Sequence, residues 1–293
     1  MTQYTLAGHS VQVSGNFPDR NISSFLPFSS ATSADEKTVL LLQSGIPLRD
    51  RNIAPLRSFP SAIDKNTTCS FAVTDSEYII KIEKPETAPY IMEVTNQDGE
   101  FVAKTNMDEH SPGEYLHFCC LLVFGIAFAH HQTLIIHSST VSYKGKAVLF
   151  LGESGTGKST HSRLWLNHIP HTELINDDGP LVRIMEDGAV RVFGSPWSGK
   201  TPCYKNINAP VAAIVSLSQA PYNEIKPLKG IAALGALLPS CFKIFIKSET
   251  LLDKITDILS VIIKQIPVYH LDCLPNAEAA HLVFQTLKES GRL

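Results

Sequence analysis

Two octapeptides in the 293-residue chain fit the pattern G-x-x-x-x-G-K-[ST]: Gly152-Glu153-Ser154-Gly155-Thr156-Gly157-Lys158-Ser159 and Gly194-Ser195-Pro196-Trp197-Ser198-Gly199-Lys200-Thr201. The pattern has a chemical reason. Glycines let successive backbone N–H groups turn inward around a phosphate, where side chains would collide. A helix starting at the end of the loop adds its positive N-terminal end. The lysine supplies a mobile cation for the β- and γ-phosphates, and the last hydroxyl supplies a ligand for Mg²⁺. Context separates the two copies. The first follows the apolar run Lys146–Leu151 and leads into Thr160–Leu166, which can continue as a helix. In the second, Pro196 removes an amide donor and Pro202 disfavours helix at Thr201. Gly152–Ser159 is therefore the expected phosphate loop, and Gly194–Thr201 is not a second one.

Leu174-Ile175-Asn176-Asp177-Asp178 follows the loop and its helix. An apolar strand ending in acidic residues suits metal and water ligation beside a phosphate loop. The same stretch, continuing into Gly179-Pro180, is rich in turn formers, so a plain turn stands beside that reading. Adjacent carboxylates repel unless a metal or a shared proton separates them. That favours a division of labour, with one on Mg²⁺ and one as a base. His137 ends the apolar run Leu134-Ile135-Ile136, where a lone histidine is usually structural or on the surface.

The elements that must position these residues follow from patterning. Residues 1–110 read as a β-rich module with strands at Ser10–Val13, Thr38–Leu42, Ser70–Val73, Tyr78–Ile82 and Tyr90–Val94. Ser29–Lys37 reads as loop, and Asn96–Gly99 as a turn. Ser111-Pro112-Gly113-Glu114 has the form of a capping box with proline at the first helical position, opening a helix to about His130. Thr133–Ile136 and Ala147–Leu151 read as a hairpin-like pair around Tyr143–Lys146. A strand is expected at Val211–Leu217, and an amphipathic helix carries Leu252, Ile255, Ile258, Leu259 and Ile262. Pro267–Leu271 reads as a strand and Asn276–Glu289 as a last helix. Residues 111–293 thus mix strands and helices in an α/β domain.

Composition limits the rest. Hydrophobic residues make up 44% of the chain and charged residues 18%, which is enough to bury a large core. A net charge of −3 gives no broad positive field for nucleic acid or an anionic membrane, so any bound anion needs a local site. The N-terminus lacks a basic-then-apolar leader, and the most apolar run, Leu116–Ala129, is too short to span a bilayer. A cytoplasmic location is expected. The six cysteines show no C-x-x-C pair and no histidine at zinc spacing, and read as buried thiols in a reducing compartment.

Taken in order, Ile136-His137-Ser138-Ser139, Gly145 to Thr160 and Leu174 to Asp178 resemble the nucleotide site of ATP-type phosphoenolpyruvate carboxykinase and HPr kinase/phosphorylase. The likeness covers residues 133–205 and reaches weakly into Val268–Leu287. It implies a mixed-sheet α/β P-loop kinase domain of that type over residues 111–293, with a smaller β-rich N-terminal domain over residues 1–110. It also implies site roles. Gly152, Ser154, Gly155, Thr156, Gly157, Lys158, Ser159 and Thr160 would hold ATP. Ser159 and Asp178 would serve Mg²⁺. Asp177 would be the base, His137 would lie by the transferring phosphate, and Lys200 would neutralise transition-state charge. The carboxykinases carry further oxaloacetate ligands that are not found here. HPr kinases carry Glu-Ile-Arg-Gly beyond the acidic pair, where this chain has Gly194–Lys200. The nearer likeness is to HPr-kinase-like proteins with a Pro-Trp-Ser-Gly segment.

The implied function is an ATP- and Mg²⁺-dependent phosphotransferase acting on a serine-like hydroxyl of a protein, peptide or small molecule. A nucleotide-binding sensor or assembly factor without turnover, or a plain ATPase, is the alternative. A homo-oligomer is compatible with the resemblance, although no heptad pattern supports it.

Overall fold

The type of turn at Tyr143–Lys146 decides how the central strands pair. Lys144 and Gly145 both have positive φ (46° and 79°), the combination of a two-residue hairpin turn that matches strand twist. The computed structural model describes residues 1–15, 23–31, 37–60, 66–199 and 201–293. They divide into two units: Met1–His131 with Ile244–Leu252, and Gln132–Lys243 with Asp253–Leu293.

The first unit is a nine-stranded mixed sheet. Its strands are β1 (Thr2–Leu6), β2 (His9–Ser14), β3 (Ser29–Ser30), β4 (Thr38–Gln43), β5 (Arg57–Pro60), β6 (Thr68–Val73), β7 (Glu77–Glu83), β8 (Tyr90–Gln97) and β9 (Glu100–Thr105). The order is β3-β1-β2-β4-β9-β8-β7-β6-β5. The five expected strands are all present. The short β3 begins the stretch expected to be loop, and part of that stretch, residues 32–36, lies outside the described residues. Asp98 and Gly99 both have positive φ and turn β8 into β9. Helix α1 (Gly113–Ala129) packs on β4 and β9 and is apolar almost all round, as a fully buried helix must be. The expected capping box does not form. Pro112 is the N-cap, and the Ser111 hydroxyl instead donates to Asp108 Oδ1 at 3.0 Å and accepts from the Asp108 amide at 3.0 Å. The local turn at Asp108–Ser111 competes for the hydroxyl and wins. Cys119 and Cys120 in α1 are buried, and burial raises both thiols, Cys120 to about 12.

The second unit holds β10 (Thr133–Ile135), β11 (Ser138–Tyr143), β12 (Lys146–Leu151), α2 (Lys158–His168), β13 (Thr172–Asp178), β14 (Leu181–Ile184), β15 (Val190–Phe193) and β16 (Asn208–Gln219). These are followed by β17 (Glu224–Leu228), α3 (Gly230–Leu237), β18 (Val268–Cys273) and α5 (Ala277–Glu289). Helix α4 (Glu249–Gln265) begins in the first unit and ends in the second. The sheet runs β10-β14-β15-β16-β12-β11-β13, with β18 parallel to β16 and antiparallel to β17. The hairpin partner of β12 is β11 rather than the apolar run at Thr133, which pairs with β14 instead. Ser138, Ser139, Thr140 and Ser142 are polar yet buried between two neighbouring strands, so hydrophobicity alone hides this strand. Helices α2 and α5 pack together, and Phe150, Trp165, Val215, Leu271 and Val283 form the core beneath them. In α5 the Asn276 side chain caps the helix by accepting from the Ala279 amide at 3.1 Å. No helix among the described residues is long and apolar enough to cross a membrane.

Candidate functional site

Strand register brings the sequence motifs together. Ser138 of β11 lies opposite both Leu151 of β12 and Asp178 of β13. The last residue before the glycine loop and the acidic pair therefore stand at one end of three adjacent strands, with His137 just before β11. A register shift between Thr140 and Val141 marks a bulge in β13 at Ile175. The bulge breaks the in–out alternation, so Ile175, Asn176 and Asp177 are all buried.

The loop from Gly152 to Gly157 needs its glycines for different reasons. Gly155 and Gly157 have φ of 87° and 106°; a Cβ would meet open space at Gly155 and only the Thr160 Cβ, at 4.0 Å, at Gly157. At Gly152 a Cβ would collide with the Thr156 side chain and come within 3.3 Å of the Leu217 carbonyl. Gly157 is the N-cap of α2. The Lys158 ammonium donates to the Gly152 carbonyl at 2.8 Å and the Glu153 carbonyl at 3.2 Å, which holds it at the inner rim of the loop. It is only 8% exposed. Burial lowers its pKa against the opposing pull of Asp178 and Asp177. Thr156 Oγ1 closes the loop on the Glu153 carbonyl at 2.7 Å.

A cleft of about 430 Å³ gathers the chemistry. His137, Ser154, Gly155, Gly157, Lys158, Ser159, Thr160, Asp177 and Asp178 all line it. Gly152 and Thr156 border neighbouring cavities instead. Asp177 is 7% exposed, whereas Asp178 is open to solvent and lies 3.2 Å from His137 Nε2. The expectation for Lys200 lies outside the described residues. Its neighbours Gly199 and Thr201 border the cleft, and the Gly199 amide donates to the Asp177 carbonyl at 2.6 Å.

Three features escaped the sequence reading. Arg163 joins the cleft, one helical turn beyond Ser159 and Thr160, a spacing that would have signalled it. Asn176 is fully buried and ties the acidic strand to the second G-x-x-x-x-G-K-T segment. Its Nδ2 donates to the Trp197 carbonyl at 2.9 Å, and its Oδ1 accepts from the Gly179 amide at 2.9 Å. The single Ser195 hydroxyl proton faces the carbonyls of Gly179 (2.6 Å) and Trp197 (3.0 Å). Residues 195–199 of the second glycine motif thus form a strap across the acidic pair. His161, in the first turns of α2, is buried beside the Phe150 ring, and burial pushes its pKa down to about 4.

Two further cavities flank the cleft. One of about 490 Å³ shares Gly155, Gly157 and Thr160 with it. The other, about 680 Å³, shares His137 and Ser154. Among the described residues no cluster of three or more His, Cys, Asp or Glu side chains could cage a metal. The cleft does offer hard oxygen donors at Ser159 and Asp178, sparse enough to suit Mg²⁺, which keeps waters and phosphate oxygens among its ligands.

No family model and no curated protein matches the chain. Among solved structures, it is similar to the HPr(Ser) kinase/phosphatase from Coxiella burnetii, at 15% identity over 55% of this chain and 96% of that one, with a TM-score of 0.31.

Proposed function

We propose that the protein is an ATP- and Mg²⁺-dependent phosphotransferase whose acceptor is a hydroxyl group. The supporting observation is the convergence, in one 430 Å³ cleft, of Lys158, the amide-rich start of α2, the Ser159 hydroxyl, the acidic pair and His137. Phosphate oxygens would bind at the backbone amides of Gly155–Lys158 and at the α2 N-terminus. The Lys158 ammonium would exchange a loop carbonyl for a phosphate oxygen. Ser159 and Asp178 would hold Mg²⁺, which supplies charge neutralisation on the phosphates. Asp177, buried at the cleft wall and bonded through its carbonyl to the Gly199 amide, would take the proton from the acceptor hydroxyl. His137 would hold Asp178 through the 3.2 Å contact between Nε2 and Oδ1.

The test is transfer of label from γ-labelled ATP to hydroxyl-bearing proteins, peptides and small molecules. Lys158→Ala should lose nucleotide binding and transfer. Asp177→Asn should keep binding and lose transfer. Label released only to water would make the protein an ATPase, and an unchanged rate in Asp177→Asn would remove the base from the mechanism.

A further inference from the structure

One charged side chain of the 430 Å³ cleft has no part in the chemistry above: Arg163. It stands in α2 one turn after Ser159 and Thr160, which line the same cleft. Residues three and four apart are neighbours on one helix face, and a long helical side chain leans back over the turn before its own Cα. The guanidinium therefore reaches toward Ser159 and the phosphate loop rather than away along the helix.

Nothing in the fold claims this side chain. His161, Ser162 and Trp165 of α2 are buried, whereas Arg163 is exposed. Among the described residues it has no hydrogen bond and no ion pair, although Asp177 and Asp178 line the same cleft. Asp178 lies against His137 instead, at 3.2 Å. Lys158 is held at the loop rim by the carbonyls of Gly152 and Glu153. A phosphoryl group over Ser159 thus has one cation at the loop and a second, uncommitted one on the helix. A guanidinium offers a planar fork of donors that matches two phosphoryl oxygens at once. Charge on the outer oxygens of a transferring phosphoryl group is what catalysis must stabilise.

We infer that Arg163 is a further catalytic residue, whose guanidinium binds the γ-phosphoryl oxygens as that group passes from donor to acceptor. In this step the bond from the γ-phosphorus to the β–γ bridging oxygen breaks, and its electron pair stays on the departing diphosphate. The acceptor oxygen bonds to the same phosphorus, and its proton goes to Asp177. Arg163 moves no proton and contributes charge alone. The inference rests on the function proposed above. Lys200, to which the resemblance gives such a role, lies outside the described residues and is the competing source of charge.

Isothermal titration of the full chain with Mg²⁺-ADP, with and without aluminium fluoride, tests it without knowledge of the acceptor. The fluoride complex mimics the flat transferring phosphoryl group, so it should tighten Mg²⁺-ADP binding to the parent by at least about tenfold. Arg163→Ala should erase most of that gain and leave the affinity for Mg²⁺-ADP alone within about twofold. Arg163→Lys, which keeps the charge and loses the fork, should retain only part of it. Guanidinium ion added to Arg163→Ala should restore part of it. Asn167→Ala, one turn further along α2, should change neither affinity. A gain that survives Arg163→Ala would overturn the inference, as would a gain lost in Lys200→Ala but not in Arg163→Ala. Equal weakening of both complexes by Arg163→Ala would make Arg163 an ordinary binding residue, and the same loss in Asn167→Ala would make the effect one of the helix surface; either overturns it. A parent that binds Mg²⁺-ADP but gains nothing from aluminium fluoride overturns it too. If Mg²⁺-ADP does not bind at all, the phosphotransferase reading itself fails.

Discussion

Asn176 carries a load that can be worked out bond by bond. It is fully buried, and Asn176→Ala removes its carboxamide. The buried Gly179 amide then loses its acceptor at 2.9 Å, at a cost of about 1–3 kcal/mol. The single Ser195 hydroxyl proton is shared between the Gly179 carbonyl at 2.6 Å and the Trp197 carbonyl at 3.0 Å, so losing the Asn176 bond to Trp197 costs at least the net worth of one bond, about 1 kcal/mol. The contacts to Ser195 Oγ at 3.3 Å and the Cys203 carbonyl at 3.5 Å are too long to add much. The expected loss is about 2–4 kcal/mol in urea unfolding at unchanged m value. A loss below about 1 kcal/mol would refute the claim that this side chain fastens the strap. Asn176→Asp sharpens the test. It keeps the acceptor for Gly179 but turns an oxygen toward the Trp197 carbonyl, beside two other carboxylates. Its folded-state pKa should rise, so the folded state holds the extra proton. Stability should then fall as pH rises through the carboxylate range, and a stability that rose there would refute the geometry.

Burial depresses His161 to about 4 in the folded chain, so the unfolded chain binds the extra proton between that pH and 6.5. Stability should drop by up to ~3 kcal/mol on acidification across this window, and His161→Phe should remove that part of the slope in pH-dependent melting. Identical slopes would contradict it. Gly152→Ala must place a Cβ against Thr156 and the Leu217 carbonyl, whereas Gly155→Ala meets open space and carries only its backbone cost of about 1–2 kcal/mol. Chemical denaturation should therefore rank Gly152→Ala as the more damaging. Ser139 and Ser162 share a buried hydroxyl pair at 2.6 Å. Each single alanine variant should cost about 1–3 kcal/mol, and the double variant less than the sum, in a double-mutant cycle.

Local signals in the chain read well where they were redundant. The strand, loop and helix around Gly152–Ser159 agree with residues 146–168 as they fold, because apolar run, glycine spacing and helix formers point the same way. Proline in Gly194–Thr201 speaks against a second phosphate loop, and among its described residues Ser195 and Trp197 are fastened to Asn176 and Gly179 as a strap. The reading failed where one signal had a competitor. Ser111 had the spacing of a cap, but Asp108 lay closer. Thr133–Ile135 had the hydrophobicity of a central strand, but buried serines and threonines at Ser138–Ser142 took that place, since paired backbone and snug packing tolerate small hydroxyls.

The sequence by itself determined the chemistry on offer: a lysine in a glycine loop, a hydroxyl after it, two adjacent carboxylates and a histidine. Residue types and short spacings suffice for that, because loop conformation and helix start are local events. Only the tertiary structure decided that these groups share a cleft. That depends on strand register, with Ser138 opposite both Leu151 and Asp178, and on a one-residue bulge that turns Asp177 inward. Register and bulges are set by pairing between residues far apart in sequence, and no local pattern encodes them.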